Sequence, residues 1–360
     1  MSDAWDLLVA RDDLSKIELV ERDLLVPGDG EVLLKVDRVG LTTNNVTYAL
    51  AGDLLNYWSF FPAPEGSGRV PLWGFADVAA SNHEEVAVGA RVYGYLPMSS
   101  DLVVTPANVR SNGFLDASPH RAELDSAYNV YADTSGDAAY SSEHEDLQIL
   151  FRPLFITSFM LDDFLGDSAF FGAQQIVVSS ASSKTAYATA FCIAQRNARP
   201  RLIGLTSPGN VEFTRSLPYE EVVSYSELDA VATDTPTLYL DFAGKDELRA
   251  RVHSGFGEAL VYDCLVGVTH QEGLGAASGS DLAGPEPVFF FAPHQISKRR
   301  KDWGPGEIDK RYGAMWQSFV PQARGWVKIQ ESKGAEGLRA AWVDVLSGRV
   351  DPKAGLIISL

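Results

Sequence analysis

The chain has 360 residues, 46% hydrophobic and 22% charged, which excludes a disordered, collagenous or disulfide-held protein and suggests two domains or one large α/β unit. Thirty basic against 48 acidic residues leave a formal charge of −18, so neither nucleic acid nor a membrane is expected as a partner. Two cysteines, Cys192 and Cys264, cannot form a zinc lobe, and a charged start without an apolar segment predicts no secretory signal and a cytoplasmic protein.

In residues 31–39, Val32, Leu34 and Val36 alternate with polar positions, the period of a strand wetted on one face. Residues 56–74 read as a Pro/Gly-rich loop whose Trp58, Phe60, Phe61 and Trp73 side chains either wall a pocket and exclude water or simply pack over the core. A second strand is expected over 86–96, with Gly89 and Gly94 bending it towards a barrel. His83, just after Ser81-Asn82, reads as a turn residue rather than a ligand. Residues 146–166 are expected to be helical, begun or kinked at Pro153, with Thr157 and Ser158 either packed between domains or facing a cleft.

After Phe151 the rhythm changes. Short apolar runs at 176–178, 201–205, 221–223, 238–241, 259–262 and 288–291 alternate with helical patterns, which implies a parallel sheet. Between the first two, Tyr187, Ala190, Phe191 and Ala194 share one helix face, completing a βαβ unit. A strand at 326–329, a helix at 335–346 and a strand at 355–360 return the chain to β structure. The predicted organisation is a discontinuous first domain, residues 1–150 and 295–360, around a dinucleotide domain, residues 151–294.

The strand at 176–178 runs into Ser179-Ser180-Ala181-Ser182-Ser183-Lys184-Thr185 and then the helix, the position where a doubly wound fold binds pyrophosphate. No G-x-G-x-x-G is present, but small residues keep the backbone approachable, and Ser182, Ser183, Lys184 and Thr185 offer hydrogen bonds. The alternative is a serine-rich cap with Lys184 in solvent. A P-loop is excluded, because Val178 and Ser183 stand where it needs glycine. The second strand ends in Thr206-Ser207-Pro208-Gly209-Asn210 without a carboxylate. Thr206, Ser207 and Asn210, with Arg215 beyond, suit a 2′-phosphate, so NADP(H) is favoured over NAD(H), unless the segment merely caps the next helix. The histidines at 120, 144, 253, 270 and 294 form no metal-spaced pair and no Ser-His-Asp order.

Residues 27–45 (PGDGEVLLKVDRVGLTTNN), 86–94 (VAVGARVYG), 152–158 (RPLFITS), 179–186 (SSASSKTA) and 290–293 (FFAP) occur in an order that resembles the zinc-independent, quinone-reductase-like medium-chain dehydrogenase/reductases, and within them the uncharacterised DUF2855 group. The resemblance implies an α/β protein with a GroES-like β-rich catalytic domain and a Rossmann doubly wound parallel-sheet domain. It implies an NADP(H)-dependent oxidoreductase reducing an activated double bond, quinone or carbonyl of a small apolar substrate; a non-catalytic NADPH-binding sensor or structural protein is the alternative. The zinc-dependent branch carries a catalytic Cys that this chain lacks before residue 192, so no metal ligands are assigned. The proton donor of enoyl-reducing relatives falls in the segment holding Tyr48 and Tyr57, with Asn44 or Asn45 orienting substrate or carboxamide. Thr157 and Phe291-Ala292-Pro293 are expected beside the cofactor, with His294 following. The basic run Lys298 to Lys301 is either a solvated helix face or an attractor of phosphate. A homodimer is expected through residues 288–291.

Overall fold

The computed structural model describes residues 4–137, 139–266 and 282–360. They form two units, one running to Leu150 and resuming at Val327, the other Phe151–Trp326.

The first unit opens with β1 (Ala4–Ala10), β2 (Ile17–Arg22), β3 (Val32–Leu41) and helix α1 (Thr43–Leu50). It continues through β4 (Ser67–Gly68), β5 (Leu72–Ser81), β6 (Arg91–Leu96), β7 (Asp101–Val104), β8 (Pro106–Arg110), β9 (Gly113–Asp116) and β10 (Val130–Asp133). On β3, Val32, Leu34 and Val36 are buried and Lys35 is exposed, as the alternation requires. Residues 86–90 are not strand: Gly89, at φ 86°, makes the turn that returns the chain onto β5 through its N–H to Val78 O. The 56–74 segment is not a free loop either. Trp58, Phe60 and Phe61 are core residues, and Trp58 is clasped so closely by Gly52 and Gly68 that a Cβ on either would lie 2.1 or 2.3 Å from its ring. Only Trp73 of the four proposed wall aromatics stays half-buried.

Helix α2 (Glu145–Asp167) runs through Pro153 without interruption. The second unit follows with β11 (Gln175–Val178), α3 (Lys184–Ala194), β12 (Arg201–Thr206), α4 (Val211–Thr214), β13 (Glu221–Ser224), β14 (Thr237–Asp241), α5 (Asp246–Phe256), β15 (Leu260–Leu265), β16 (Pro287–Phe289), α6 (Ala292–Trp303) and α7 (Glu307–Trp326). All six strands are parallel, in the order β13-β12-β11-β14-β15-β16. β11 and β14 are buried throughout, which is why they read as unbroken apolar runs. The strand order reverses between β11 and β14, and in such sheets ligands bind outside the carboxyl ends of the strands at that point.

The chain returns to the first unit with β17 (Lys328–Lys333), α8 (Gly334–Leu346) and β18 (Ala354–Ser359). The main sheet of that unit is ordered β17-β18-β3-β5-β6-β10-β9-β8, with β7 also on β3 and a separate β2-β1-β4 sheet. The return therefore falls at Val327 and not at residue 295. Residues 295–326 are helical and stay with the second unit: Trp316 and Phe319 pack on Phe155 at 5.3 and 4.6 Å, and Ile308, Tyr312 and Met315 lie against the core of the parallel sheet. Among the described residues no helix is long and apolar enough to cross a membrane.

Candidate active site

In the second unit, the turn after β11 is organised by its neighbours. Ser179 Oγ donates to Asp241 Oδ1 (2.9 Å) at the end of β14 and accepts from the N–H groups of Phe242 and Ala243. Ser180 takes the left-handed region at φ 47°, uncommon for a side-chain-bearing residue, and its N–H donates to the Tyr225 hydroxyl at 3.0 Å. Tyr219 donates its hydroxyl to Ala181 O, and Ala181 N–H donates to Leu205 O. Gly204 is closely approached here, since a Cβ would lie 3.0 Å from Ala181 and 3.1 Å from the Tyr219 ring. Ser182 Oγ is met by Thr206 Oγ1 and Asn210 Nδ2, each at 3.2 Å, so the end of β12 and the turn share one polar cluster.

Ser183 is the N-cap of α3 but gives no side-chain hydrogen bond to its first turn. That leaves a helix N-terminus, with its positive dipole end, without a capping side chain at the carboxyl edge of the central strand. Ser207 likewise starts the turn after β12 without a side-chain cap, and Arg215 is exposed beside Glu212. Ser158 Oγ donates to Thr185 O (3.0 Å), tying α2 to the first turn of α3; neighbouring Thr157 is half-buried. Phe291 caps α6, whose first turn holds Ala292 and Pro293, and His294 lies edge-on to Phe291 at 5.1 Å.

The basic run is committed locally. Lys298 pairs with Asp167 and Asp302, and the buried Arg299 pairs with Asp163, while Arg300 and Lys301 are exposed on α6. His253 on α5 is buried, with Nδ1 2.7 Å from Ala283 O and Nε2 2.8 Å from Asp263 Oδ2. Arg249 completes this cluster, 2.7 Å from Asp241 and 3.8 Å from Asp263. His270 lies outside the described residues.

In the first unit, Asn45 is structural. Its Oδ1 accepts from Thr42 N–H (2.8 Å), closing the start of α1, and its Nδ2 donates to Pro71 O (2.9 Å). Both ends of the amide are thereby occupied. Tyr48 and Tyr57 are brought together, with ring centroids 4.6 Å apart, in a panel with Tyr95, Tyr128 and Trp73. Buried Tyr48 accepts from Trp73 Nε1 at 3.2 Å, whereas half-buried Tyr57 pairs with the Tyr128 hydroxyl at 3.2 Å. Burial raises both phenols above the ordinary tyrosine value, so each keeps its proton across neutral pH. His83 sits in a turn, its Nδ1 accepting from Glu85 N–H.

Tyr128, Tyr219, Tyr225 and Asp241 escaped the sequence reading. Tyr225 and Asp241 had a positional signal, since each stands at the carboxyl end of a parallel strand, where such folds build their sites.

The sequence profile described as "Protein of unknown function (DUF2855)" matches residues 39–351. The chain belongs to this family. No curated protein matches it. Among solved structures, this DUF2855 member is similar to CurA in complex with NADPH from Vibrio vulnificus (14% identity, 99% of this chain and 98% of that chain, TM-score 0.64). It is also similar to the quinone oxidoreductase from Coxiella burnetii (12%, 99% and 99%, TM-score 0.54) and to CurK enoyl reductase (14%, 99% and 99%, TM-score 0.53). These likenesses show the fold of the DUF2855 chain to be that of the medium-chain dehydrogenase/reductases, a GroES-like β-rich domain with a Rossmann domain.

Proposed function

We propose that the protein is a zinc-independent oxidoreductase that uses NADP(H) to reduce an activated double bond, quinone or carbonyl of a small, fairly apolar substrate. The observation that carries this reading is the uncapped N-terminus of α3 behind a turn of small residues, at the switch point of the parallel sheet. Ser182, Ser183, Lys184 and Thr185 would hold the pyrophosphate, Ser207 and Asn210 the 2′-phosphate with buried Thr206 behind them, and Thr157 with Phe291-Ala292-Pro293 would border the rest of the cofactor. NADPH in the CurA complex supports the cofactor choice. When bound, the reduced nicotinamide supplies a hydride.

The chain's own part is protonation and water exclusion. We assign the donor role to Tyr57, because it is half-buried and, among the described residues, hydrogen-bonded only to another phenol, and give Tyr48 the role of fixing the panel. The raised phenol suits a general acid, which must stay protonated until it acts. The test is an acceptor panel of quinones, enones and aldehydes, read as loss of nicotinamide absorbance. Turnover with one class supports the proposal; tight NADPH binding with no turnover on any class replaces it with a sensor.

The cofactor choice has its own test. Ser207→Asp places a carboxylate where the 2′-phosphate would lie, and is expected to weaken NADPH about tenfold or more while sparing NADH. Calorimetric affinities equal for the two cofactors, before and after the change, would rule out the 2′-phosphate site.

A homodimer is the second part of the proposal. Among the described residues β16 pairs only with β15, and its Val288 and Phe289, with Phe291 just beyond, are 44%, 46% and 43% exposed, an apolar edge able to continue a sheet across a two-fold axis. Light scattering at micromolar concentration should give twice the chain mass, and Phe289→Lys should halve it. A monomeric wild type would refute this arrangement.

A further inference from the structure

The second unit holds an open cavity of about 440 Å³ between α2, α3, α6 and α7, within the range of small-molecule pockets. It is not the cofactor site. Gln195 and Arg196 follow the carboxyl end of α3, remote from the phosphate turn, and the eleven residues of that helix separate the two by about 16 Å. Phe159 and Met315 give it apolar walls, and Trp303 stacks with Arg311, whose guanidinium carbon is 4.1 Å from the ring centroid.

The charges around this space are paired, and two of the cations keep open N–H groups. Asp162 receives Arg196 through Nε and Nη2, Asp163 receives Arg299, and Glu307 receives Arg311 through Nε. The acids are therefore spent. Nη1 of Arg196 and both terminal nitrogens of Arg311 make no hydrogen bond among the described residues. Planar guanidinium groups with open N–H pairs select carboxylates, and the neighbouring ring and thioether surfaces select a flat apolar body.

We propose that this cavity is a second small-molecule site, independent of NADP(H), for a planar aromatic carboxylate whose ring lies against Phe159 and Met315 and whose carboxylate meets Arg196 and Arg311. The probe is 2-naphthoate, titrated calorimetrically into the full-length chain, with 2-naphthamide as its uncharged counterpart.

Saturable 1:1 binding is expected, weakened at least about tenfold for the amide and at least about tenfold by Arg311→Gln. Ala314→Trp fills the cavity from an exposed helix position and is expected to abolish binding. NADPH affinity should be unchanged in both variants and in the presence of 2-naphthoate, which also shows that the variants are folded. The proposal is overturned by any of three results: no saturable binding up to about 5 mM, binding that Ala314→Trp leaves intact, or binding that NADPH displaces. Equal affinity for acid and amide would overturn the carboxylate assignment.

Discussion

Tyr57→Phe is expected to lower kcat by about 10²–10⁴-fold with the accepted substrate, the usual contribution of a positioned general acid, while NADPH affinity stays within about twofold. The ring is kept, so the packing on Tyr48 and Tyr128 survives and only the proton is lost. Tyr48→Phe is expected to cost less, because the hydroxyl it removes is buried and serves Trp73. Since burial holds the Tyr57 phenol above its ordinary value, wild-type kcat should stay level through neutral pH and fall only in strong base, as the donor loses its proton. Single-turnover rates for the two variants decide the matter. If both match the wild type, neither hydroxyl is the donor, and protonation must come from solvent or from His294.

The largest expected effect on stability lies in the buried pair of α5 and β15. Burial works against a charge on His253, but the hydrogen bond to Asp263 and the Ala283 carbonyl prevail and raise its pKa above the ordinary histidine value. The geometry agrees, because both ring nitrogens face acceptors and both must therefore carry hydrogen. Arg249, 3.8 Å from Asp263, favours the carboxylate form of the partner. His253→Ala leaves Asp263 buried and is expected to cost about 3–5 kcal/mol.

A group whose folded pKa is raised stabilises fully below its unfolded value, near 6.5 for histidine, and the contribution is lost as pH rises through the folded value. Urea midpoints should therefore fall from neutral pH upward in the wild type. In His253→Gln that slope should be absent. Identical slopes for the two proteins would show that His253 is neutral in the folded state.

The parallel sheet was legible because its central strands, β11 and β14, are buried throughout and so read as short apolar runs between helical patterns. The turn at 179–185 was legible for the same reason: the strand and helix periods meet there. The second domain boundary was not, because the sequence returns visibly to β structure only near residue 326, while α6 and α7 carry apolar faces that suit either unit. Side-chain roles at the site were mostly hidden. Tyr225 reaches Ser180 across 45 residues and Asp241 reaches Ser179 across 62, contacts that no local pattern encodes. Asn45 misled in the opposite direction, since an asparagine at a helix start serves as readily to close the cap as to hold a ligand. Trp58 looked like pocket wall because its aromatic neighbourhood is visible in sequence and the two glycines that swallow it are not adjacent to it.

Strand β18 of the first unit's main sheet also fixes an order of events during synthesis. β18 lies between β17 and β3, pairing Leu356 with Leu41, so among the described residues the edge of β3 from Arg38 to Leu41 has no partner until residues 354–359 have left the ribosome. The second unit is contiguous in sequence and can close as soon as Trp326 has emerged. The nascent chain thus carries the whole of the second unit while the main sheet of the first still has an open strand edge. Truncation or stalling near the carboxyl end exposes an edge prone to pairing with other chains, rather than merely shortening the protein.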